Sequence, residues 1–226
     1  NLFKLNRILR KKKIYIIDDC SQAHGAMYDN GKRVGGHGIS NISTFSLYPG
    51  KNLGAYGDAG IITTNNKKIY TQIKSIRNIG AIKKFDHKTI GFNNRIDTIQ
   101  AAILSHKIKY LKENNSKRVL ISKKYFSKII NKKIKFINYS KYSVFHQFII
   151  RVKDRNKFLT FLKKNKIEYG LHYPHTINQM KFFKKKYGVK KYINSEKLAK
   201  ECVSLPIDPM LTNKEVNQII NIINKY

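Results

Sequence analysis

The run Ile14–Ile17 (IYII) is the feature that most limits what this chain can fold into. Consecutive apolar residues without polar alternation are typical of a short parallel strand that is buried on both faces. The run ends in Asp18-Asp19, which would place acidic groups at the carboxyl end of that strand. Ligands of open α/β sheets bind at this edge. The sequence therefore predicts an α/β fold with a candidate site directly after the strand.

Helical and strand patterns alternate along the rest of the chain, which favours further α/β structure. The Asn-Asn-Ser run at 114–116 is either a kink or a boundary, because a helical pattern resumes after it. The patterns beyond it predict a small α/β domain of its own. We predict strands at 42–47, 59–64, 145–152 and 167–173, and helices at 2–9, 66–78, 98–113, 155–165, 195–201 and 213–224.

The formal charge of +33 allows two interpretations. A nucleic-acid-binding module carries such an excess of Lys and Arg. The lysines are, however, spread along the whole chain in pairs and triplets among many Asn and Ile residues. This mixture is also what an A/T-rich coding sequence produces, with the lysines on solvated helix faces. We favour solvated faces and keep the nucleic-acid module as an alternative.

Cys20 and Cys202 are far apart and form no metal-ligand spacing with each other or with histidine. The chain therefore predicts no metal site and a reducing, cytoplasmic setting. No apolar run approaches the roughly 18 residues that a membrane-spanning helix needs. We accordingly predict no association with a membrane.

Lys51 lies in the stretch TFSLYPGKNLGAYGDAG (44–60), among residues that favour loops rather than helices or strands. Ser46 precedes it by five residues, at the end of a predicted strand. Loops at the edge of a rigid sheet are where catalytic groups are commonly placed. A surface lysine on a loop is also common, so this stretch alone does not establish catalysis.

The acidic pair Asp18-Asp19 adds carboxylates whose chemistry complements that of the Lys51 amine. Asp18-Asp19, Gln22 and His24-Gly25 form a polar cluster after the first predicted strand. A carboxylate can keep a heteroaromatic nitrogen protonated, while a lysine amine forms an imine with an aldehyde. Together these groups predict a site for pyridoxal phosphate (PLP). The alternative is that the two aspartates cap a following helix.

Several stretches, in order along the whole chain, resemble the DegT/DnrJ/StrS family of PLP-dependent sugar aminotransferases. The resemblance implies the C-terminal part of a fold type I transferase. Residues 1–113 would form the remainder of a large mixed-sheet PLP-binding domain, and residues 114–226 a small C-terminal α/β domain. The stretches are IIDDCSQAHGAMYDNGKRVGGHG (16–38), FSLYPGKNLGAYGDAGIITT (45–64), RNIG (77–80), GFNNRIDTIQAAIL (91–104), HQFIIRV (146–152), GLHYP (170–174) and SLPIDPMLT (204–212).

The resemblance implies a cofactor role for five residues. Lys51 matches the Schiff-base lysine, and Asp19 matches the carboxylate that faces the pyridine nitrogen. Gln22 matches the residue beside the ring hydroxyl of the cofactor, and Ser46 matches a hydroxyl on its phosphate. Asn93 matches an asparagine that reaches a phosphate across the interface of a homodimer with shared active sites.

Five further residues lie where the family binds substrate. Tyr48 and Asn52 flank the lysine, Arg95 is close to Asn93, and the small-domain positions are His172 and Tyr173. Taken singly, such residues can have purely structural roles: an arginine can be a surface charge, and a histidine can close a strand. Their joint occurrence in the family's order favours the functional interpretation.

The resemblance implies an enzyme that transfers an amino group, usually from glutamate, to a nucleotide-linked keto-sugar. The match is closest to members that act on a dTDP-3-keto-6-deoxyhexose, whose products enter surface polysaccharides or other glycans. Some relatives have histidine at the lysine position and dehydrate sugars; Lys51 argues against that branch.

The sequence begins at Asn1 and lacks the family's earlier segment, whose Ser-Gly-Thr-type turn holds the cofactor phosphate at a helix start. We therefore expect the 226 residues alone to bind PLP poorly or not at all. The alternative is an inactive, truncated remnant of such an enzyme.

Overall fold

A computed structural model describes residues 2–36, 38 and 40–226. Asn1 and His37, which belong to stretches discussed above, lie outside the described residues. The chain divides into two compact units. The first unit comprises the residues up to Asn115 together with Tyr142–Val144, and the second comprises Ser116–Lys141 and Phe145–Tyr226.

The first unit contains a mixed three-stranded sheet in the order β1-β2-β3. β1 pairs in parallel with β2, with Asp19 opposite Thr44, and β2 pairs antiparallel with β3, with Ser46 opposite Gly60. The elements of this unit are α1 (Leu2–Lys11), β1 (Ile17–Asp19), β2 (Ile42–Ser46), β3 (Gly60–Thr63), α2 (Lys67–Ile76), β4 (Ala81–Lys83), β5 (Asp86–His87), α3 (Thr98–Lys107), a 3₁₀ turn (Ile108–Tyr110) and the start of α4 (Leu111–Lys128).

The prediction of a buried strand at Ile14–Ile17 is wrong in its bounds and in its burial. β1 begins at Ile17, and the side chain of Ile17 is 67% exposed. Among the described residues β1 pairs with a single strand, β2, so its other edge has no strand partner. The buried cluster of this unit is small and consists of Leu47, Leu53, Ala55 and Leu104.

The single helix predicted over 98–113 is also wrong. α3 ends at Lys107, and α4 begins at Leu111 after one 3₁₀ turn. The Asn-Asn-Ser run at 114–116 marks the boundary between the two compact units, which divide after Asn115, but α4 continues through the run to Lys128. Asparagine weakens helices when its side chain competes for nearby backbone groups. The Asn115 side chain instead bonds to partners outside the helix, which removes that competition.

The second unit contains an antiparallel sheet in the order β6-β7-β8. The strand predicted over 167–173 is reduced to one bridge, in which Gly170 and Ser204 exchange backbone hydrogen bonds of 3.0 and 2.8 Å. Pro174 has no N–H and cannot extend a ladder beyond that bridge. The elements that follow α4 are β6 (Ile134–Phe136), β7 (Phe148–Val152), α5 (Arg155–Lys164), a 3₁₀ turn (Ile177–Gln179), α6 (Lys181–Tyr187), α7 (Ile193–Glu201), β8 (Cys202–Leu205) and α8 (Asn213–Asn224).

The second unit has a core of its own. Every second residue of β7, namely Phe148, Ile150 and Val152, is buried. Helices α5 and α8 supply further side chains to the same cluster. Each fully buried side chain of this size stabilises the fold by roughly 1.5–3 kcal/mol relative to an exposed one. Among the described residues, no helix is both long and apolar enough to cross a bilayer.

Candidate active site

Parallel pairing brings the carboxyl ends of β1 and β2 to one edge of the sheet in the first unit. The Cys20 N–H donates to the Thr44 carbonyl over 2.8 Å, which continues the ladder just past Asp19. Ser46 is the last residue of β2 and its side chain is half-buried. Asp19 and Ser46 therefore lie at the same edge, where α/β sheets bind ligands.

Asp19 is an exposed, ionised carboxylate whose orientation is set by Ser21. The Ser21 N–H donates to Asp19 Oδ1 over 3.0 Å, and the Ser21 hydroxyl donates to the same oxygen over 2.5 Å. These two hydrogen bonds lower the pKa of Asp19 against an opposing effect of burial, and the charge of Lys51 adds the smallest lowering. Neither Ser21 group uses Oδ2. A turn rather than a helix follows, so the alternative of a helix cap does not apply.

The two aspartates have different surroundings. Asp18 Oδ2 accepts a hydrogen bond of 2.5 Å from the Tyr28 hydroxyl, whereas Asp19 bonds only within its own turn. Beside them, burial and the Asp18 charge raise the pKa of the Cys20 thiol to about 12. A thiol with such a pKa is protonated and unreactive at neutral pH. Asp18 thus has a tyrosine partner, and Asp19 is the acidic group available to a ligand.

The loop that carries Lys51 is tightly closed. The Lys51 N–H donates to the Tyr48 carbonyl over 2.9 Å, and the Ala55 N–H donates to the Leu47 carbonyl over 2.8 Å. A Cβ on Gly54 would lie 2.3 Å from the Pro49 carbonyl oxygen, so only glycine fits there. The loop holds the half-exposed Lys51 side chain close enough to lower the pKa of Asp19.

α3 also holds this loop. The Tyr56 N–H donates to Gln100 Oε1 over 2.8 Å, and Lys107 Nζ donates to the Gly54 carbonyl over 2.5 Å. Lys107 also lies over the Tyr56 ring, 5.3 Å from its centroid. The hydrogen bonds from α3 therefore hold the part of the loop that follows Lys51. This suits Lys51, because a catalytic side chain must keep a fixed position.

His24 had no separate role in the sequence-based prediction, which named it only as part of the polar cluster after Asp19. The His24 side chain is only 3% exposed, and within the described part of the chain neither ring nitrogen has a hydrogen-bond partner of good geometry; the Ser46 backbone is only a weak neighbour of the ring. Burial lowers its pKa, and the Lys51 charge lowers it further, against an opposing effect of the Ser46 backbone. The ring packs against Phe45 with 5.4 Å between centroids. A neutral histidine with two unpaired nitrogens therefore lies near the lysine. The only sequence signal was its position after the acidic pair.

The other predicted residues of this edge differ in how their polar groups are engaged. Gln22 is exposed in the turn after Asp19, and Tyr48 is exposed beside the lysine. Ser46 Oγ accepts a long contact of 3.4 Å from the Tyr48 N–H. Asn52 Nδ2 donates to Asn115 Oδ1 over 2.8 Å and to the Val144 carbonyl over 3.1 Å. The side-chain N–H groups of Asn52 thus bond within the protein.

Asn93 and Arg95 lie elsewhere in the first unit. Asn93 forms an isolated bridge with Asn78, just after α2, and Arg95 Nη1 donates to Asn78 Oδ1 over 2.9 Å. Both side chains are exposed. The structure therefore associates these two predicted residues with Asn78 rather than with the lysine loop.

His172 and Tyr173 belong to the second unit. His172 Nδ1 lies 2.8 Å from Ser204 Oγ, and the Tyr173 side chain is 66% exposed. Both line a cavity of about 1050 Å³ within this unit, together with Phe183, Tyr187 and other largely apolar residues. The cavity is large enough for a nucleotide-sized ligand.

The groups at the sheet edge fit PLP. Asp19 offers an ionised carboxylate oxygen, Lys51 offers an amine, and the unpaired nitrogens of His24 are polar atoms without a protein partner. The carboxylate can pair with a pyridinium nitrogen, and the amine can react with an aldehyde. Among the described residues, no group of three or more His, Cys, Asp or Glu is arranged to hold a metal ion.

Comparison with known proteins identifies the family and confirms the predicted fold. Residues 1–224 match the model of the DegT/DnrJ/EryC1/StrS aminotransferase family. A dTDP-3-amino-3,6-dideoxy-alpha-D-galactopyranose transaminase of Aneurinibacillus thermoaerophilus is 40% identical over 224 residues, which cover 98% of this chain and 61% of that relative. The chain thus spans about 60% of the length of the curated relatives it matches.

Two solved structures share the fold. DesV of S. venezuelae, in complex with a ketimine intermediate, has a TM-score of 0.91 at 28% identity, over 98% of this chain and 60% of that one. NtdA of Bacillus subtilis with bound cofactor PMP has a TM-score of 0.86 at 26% identity, over 99% of this chain and 52% of that one. The chain therefore belongs to the DegT/DnrJ/EryC1/StrS aminotransferase family.

Proposed function

We propose that this chain is part of a PLP-dependent aminotransferase that moves an amino group from glutamate to a nucleotide-linked keto-sugar. The observation that carries the proposal is the pair formed by Lys51 and Asp19. Asp19 lies on β1 and Lys51 on the loop after β2, at the shared edge of two strands that pair in parallel. The names of several relatives support the reaction class, because they denote transaminases of dTDP-linked amino sugars.

Lys51 is the residue that would hold the cofactor, through its Nζ atom. When bound, PLP supplies an electron sink for the carbon next to the amino group. Once its Nζ is released, Lys51 would move a proton between that carbon and the cofactor. The closed loop around Gly54 supports this role, because proton transfer needs a fixed donor at hydrogen-bonding distance.

Asp19 would keep the pyridine nitrogen protonated. Its lowered pKa means that the carboxylate is ionised at neutral pH, which is the form that stabilises a cationic ring. Because Ser21 occupies Oδ1, the cofactor contact is assigned to Oδ2.

The remaining cofactor contacts are part of the same proposal. Gln22 would contact the ring hydroxyl, and Ser46 would contact the phosphate from the end of β2. Asn93 would reach the phosphate of a second copy's cofactor in a homodimer. The exposure of Gln22 and Asn93 supports these roles, since both side chains are accessible to a ligand or to another chain.

For the substrate, we propose a dTDP-3-keto-6-deoxyhexose, with the product entering surface polysaccharide or glycan synthesis in the cytoplasm. The name of the relative at 40% identity supports a dTDP-linked 3-amino-6-deoxy sugar. Tyr48, Asn52 and Arg95 would contact the substrate in the first unit, and His172 and Tyr173 in the second. The cavity beside His172 supports the last two roles.

The test is an aminotransferase assay on protein expressed from the complete gene, with glutamate and dTDP-3-keto-6-deoxyglucose as substrates. We expect Lys51→Ala to lower kcat by about 10³-fold or more, because it removes both the covalent anchor and the proton carrier. Lys68→Ala, on the exposed face of α2, is the matched control and should keep full activity. Equal activity of the two variants would refute the proposal.

An inactive remnant is the alternative that one observation favours. Among the described residues the apolar buried cluster of the first unit has four members, and Ile17 in β1 is mostly exposed. A chain that is never active would show no turnover in the assay above under any substrate. Its unfolding would show one transition, from the second unit, with the first unit already disordered.

A further inference from the structure

Asn115 joins the two loops that carry the proposed site. Its Oδ1 accepts a hydrogen bond of 2.8 Å from Asn52, the residue that follows Lys51. Its Nδ2 donates over 2.8 Å to the carbonyl of His24, in the turn that follows Asp19. All these residues belong to the first unit. One buried amide therefore connects the lysine loop with the aspartate turn.

The residues around Asn115 leave room for its hydrogen bonds to the two loops. A Cβ on Gly25 would lie 2.8 Å from Asn115 Nδ2, and Gly25 has a φ of +81°, which other residues rarely adopt. Glycine is thus needed here both for the backbone conformation and for the approach of the amide. Asn52 also donates to the Val144 carbonyl, which fixes its side chain from a second direction.

Asn115 is suited to fix the distance between the lysine loop and the turn that follows Asp19. It is 7% exposed and lies on α4, a continuous helix of 18 residues, so its backbone is rigid. A buried amide that lost one of these partners would be left unsatisfied, at a cost of about 1–3 kcal/mol per group. An amide side chain does not ionise near neutral pH, so its two hydrogen bonds hold across the working pH range.

We infer that Asn115 is a positioning residue that fixes the Lys51 loop relative to the turn bearing Asp19. The effect on catalysis rests on the proposed function. The hydrogen-bonded link between the two loops does not depend on it. Asn115 touches neither Lys51 nor Asp19 in these hydrogen bonds and acts through Asn52 and the His24 carbonyl. The pair's separation governs how well one ligand can meet both groups.

Hydrogen–deuterium exchange of the full chain tests the link without any cofactor. In Asn115→Ala, we expect peptides covering 47–55 and 20–26 to exchange about tenfold faster, because both segments lose a hydrogen bond to the helix. Peptides from β7 should not change. Asn114→Ala, the same substitution one residue earlier on α4, is the control. Changes confined to α4 itself, or equal changes in both variants, would overturn the inference.

Asn52→Ala keeps the test decisive if Asn115→Ala does not fold. Asn52 is half-exposed, and its removal breaks the same link from the lysine side. Because Asn52→Ala leaves the hydrogen bond from Asn115 to the His24 carbonyl in place, the inference predicts faster exchange in 47–55 with 20–26 unchanged. Unchanged exchange in 47–55 would contradict the inference.

Kinetics then separates positioning from general stability. In the protein expressed from the complete gene, Asn115→Ala should lower kcat about tenfold or more, with KM for glutamate changed less than about threefold, since misplacement acts on proton transfer rather than binding. A rise in KM at constant kcat would overturn the positioning role. If Lys51→Ala is fully active, the proposed function fails, while the exchange result still decides whether Asn115 links the loops.

Discussion

Ser21 donates both its backbone N–H and its hydroxyl to the same oxygen of Asp19, over 3.0 and 2.5 Å. This arrangement turns one carboxylate oxygen toward the chain and leaves the other to a ligand. It also makes Ser21, rather than Lys51, the main reason that the pKa of Asp19 is low.

Replacing Ser21 by alanine should raise the pKa of Asp19, because the hydroxyl hydrogen bond is the largest cause of its lowering. The lowered pKa stabilises the fold above the unfolded value of 3.8, and this contribution is lost as the pH falls through the folded pKa. The variant should therefore lose part of this contribution at all pH values above about 4. A carboxyl-detected NMR titration measures the shift. An unchanged Asp19 pKa would contradict the geometry.

Asp19→Asn should lower kcat by about 10²–10⁴-fold in protein expressed from the complete gene, because a neutral amide cannot hold a cationic ring nitrogen. Asp18→Asn is the matched control on the adjacent residue. That control should affect stability more than kcat, since Asp18 bonds to Tyr28. Steady-state kinetics and thermal unfolding of both variants distinguish the two roles; the reverse ranking of kcat would assign the ring nitrogen to Asp18.

Gly54→Ala should destabilise the lysine loop by about 1–3 kcal/mol, because the added Cβ would lie 2.3 Å from the Pro49 carbonyl oxygen. Gly50→Ala tests the same substitution in the same loop without the clash, since its nearest contacts are 3.8 Å away on the Tyr48 ring. Denaturant unfolding of both variants provides the comparison. Equal midpoints would mean that the loop is not closed as described.

The charge of +33 should not produce specific nucleic-acid binding. If the lysines lie on solvated faces, binding of a labelled DNA duplex should be weak and should fall steeply between about 50 and 200 mM salt. Fluorescence anisotropy over that range, with the wild type and Lys51→Ala, makes the measurement. Tight binding that persists at the higher salt would support the nucleic-acid module instead.

The local sequence pattern was sufficient to predict an element whose apolar residues all lie on one face. α8 was predicted at 213–224 and observed at Asn213–Asn224, because its apolar spacing is strong and Thr212 and Glu215 form a capping box at its start. The apolar runs indicated a strand before Asp19 and another at 42–47, and the site was predicted directly after the first strand. That the two strands pair in parallel, so that Asp19 and Ser46 lie at one edge, comes from the structure.

Burial and tertiary hydrogen bonds could not be predicted in this way. The apolar run at Ile14–Ile17 indicated a covered strand, but coverage depends on what packs against it, and Ile17 is exposed. The Asn-Asn-Ser run at 114–116 indicated a kink or a boundary, and the sequence could not show that the Asn115 side chain bonds to Asn52 and to the His24 carbonyl, because both are distant along the chain. The burial of His24 against Phe45 is a property of the packed turn, and its position after the acidic pair did not indicate that burial.

Covalent mapping of the cofactor tests the central claim most directly. Protein expressed from the complete gene and loaded with PLP would be reduced with borohydride, digested and analysed by mass spectrometry. The account predicts a phosphopyridoxyl group on the peptide that contains Lys51 and on no other lysine peptide. A stable adduct on a different lysine, with Lys51 unmodified, would contradict it.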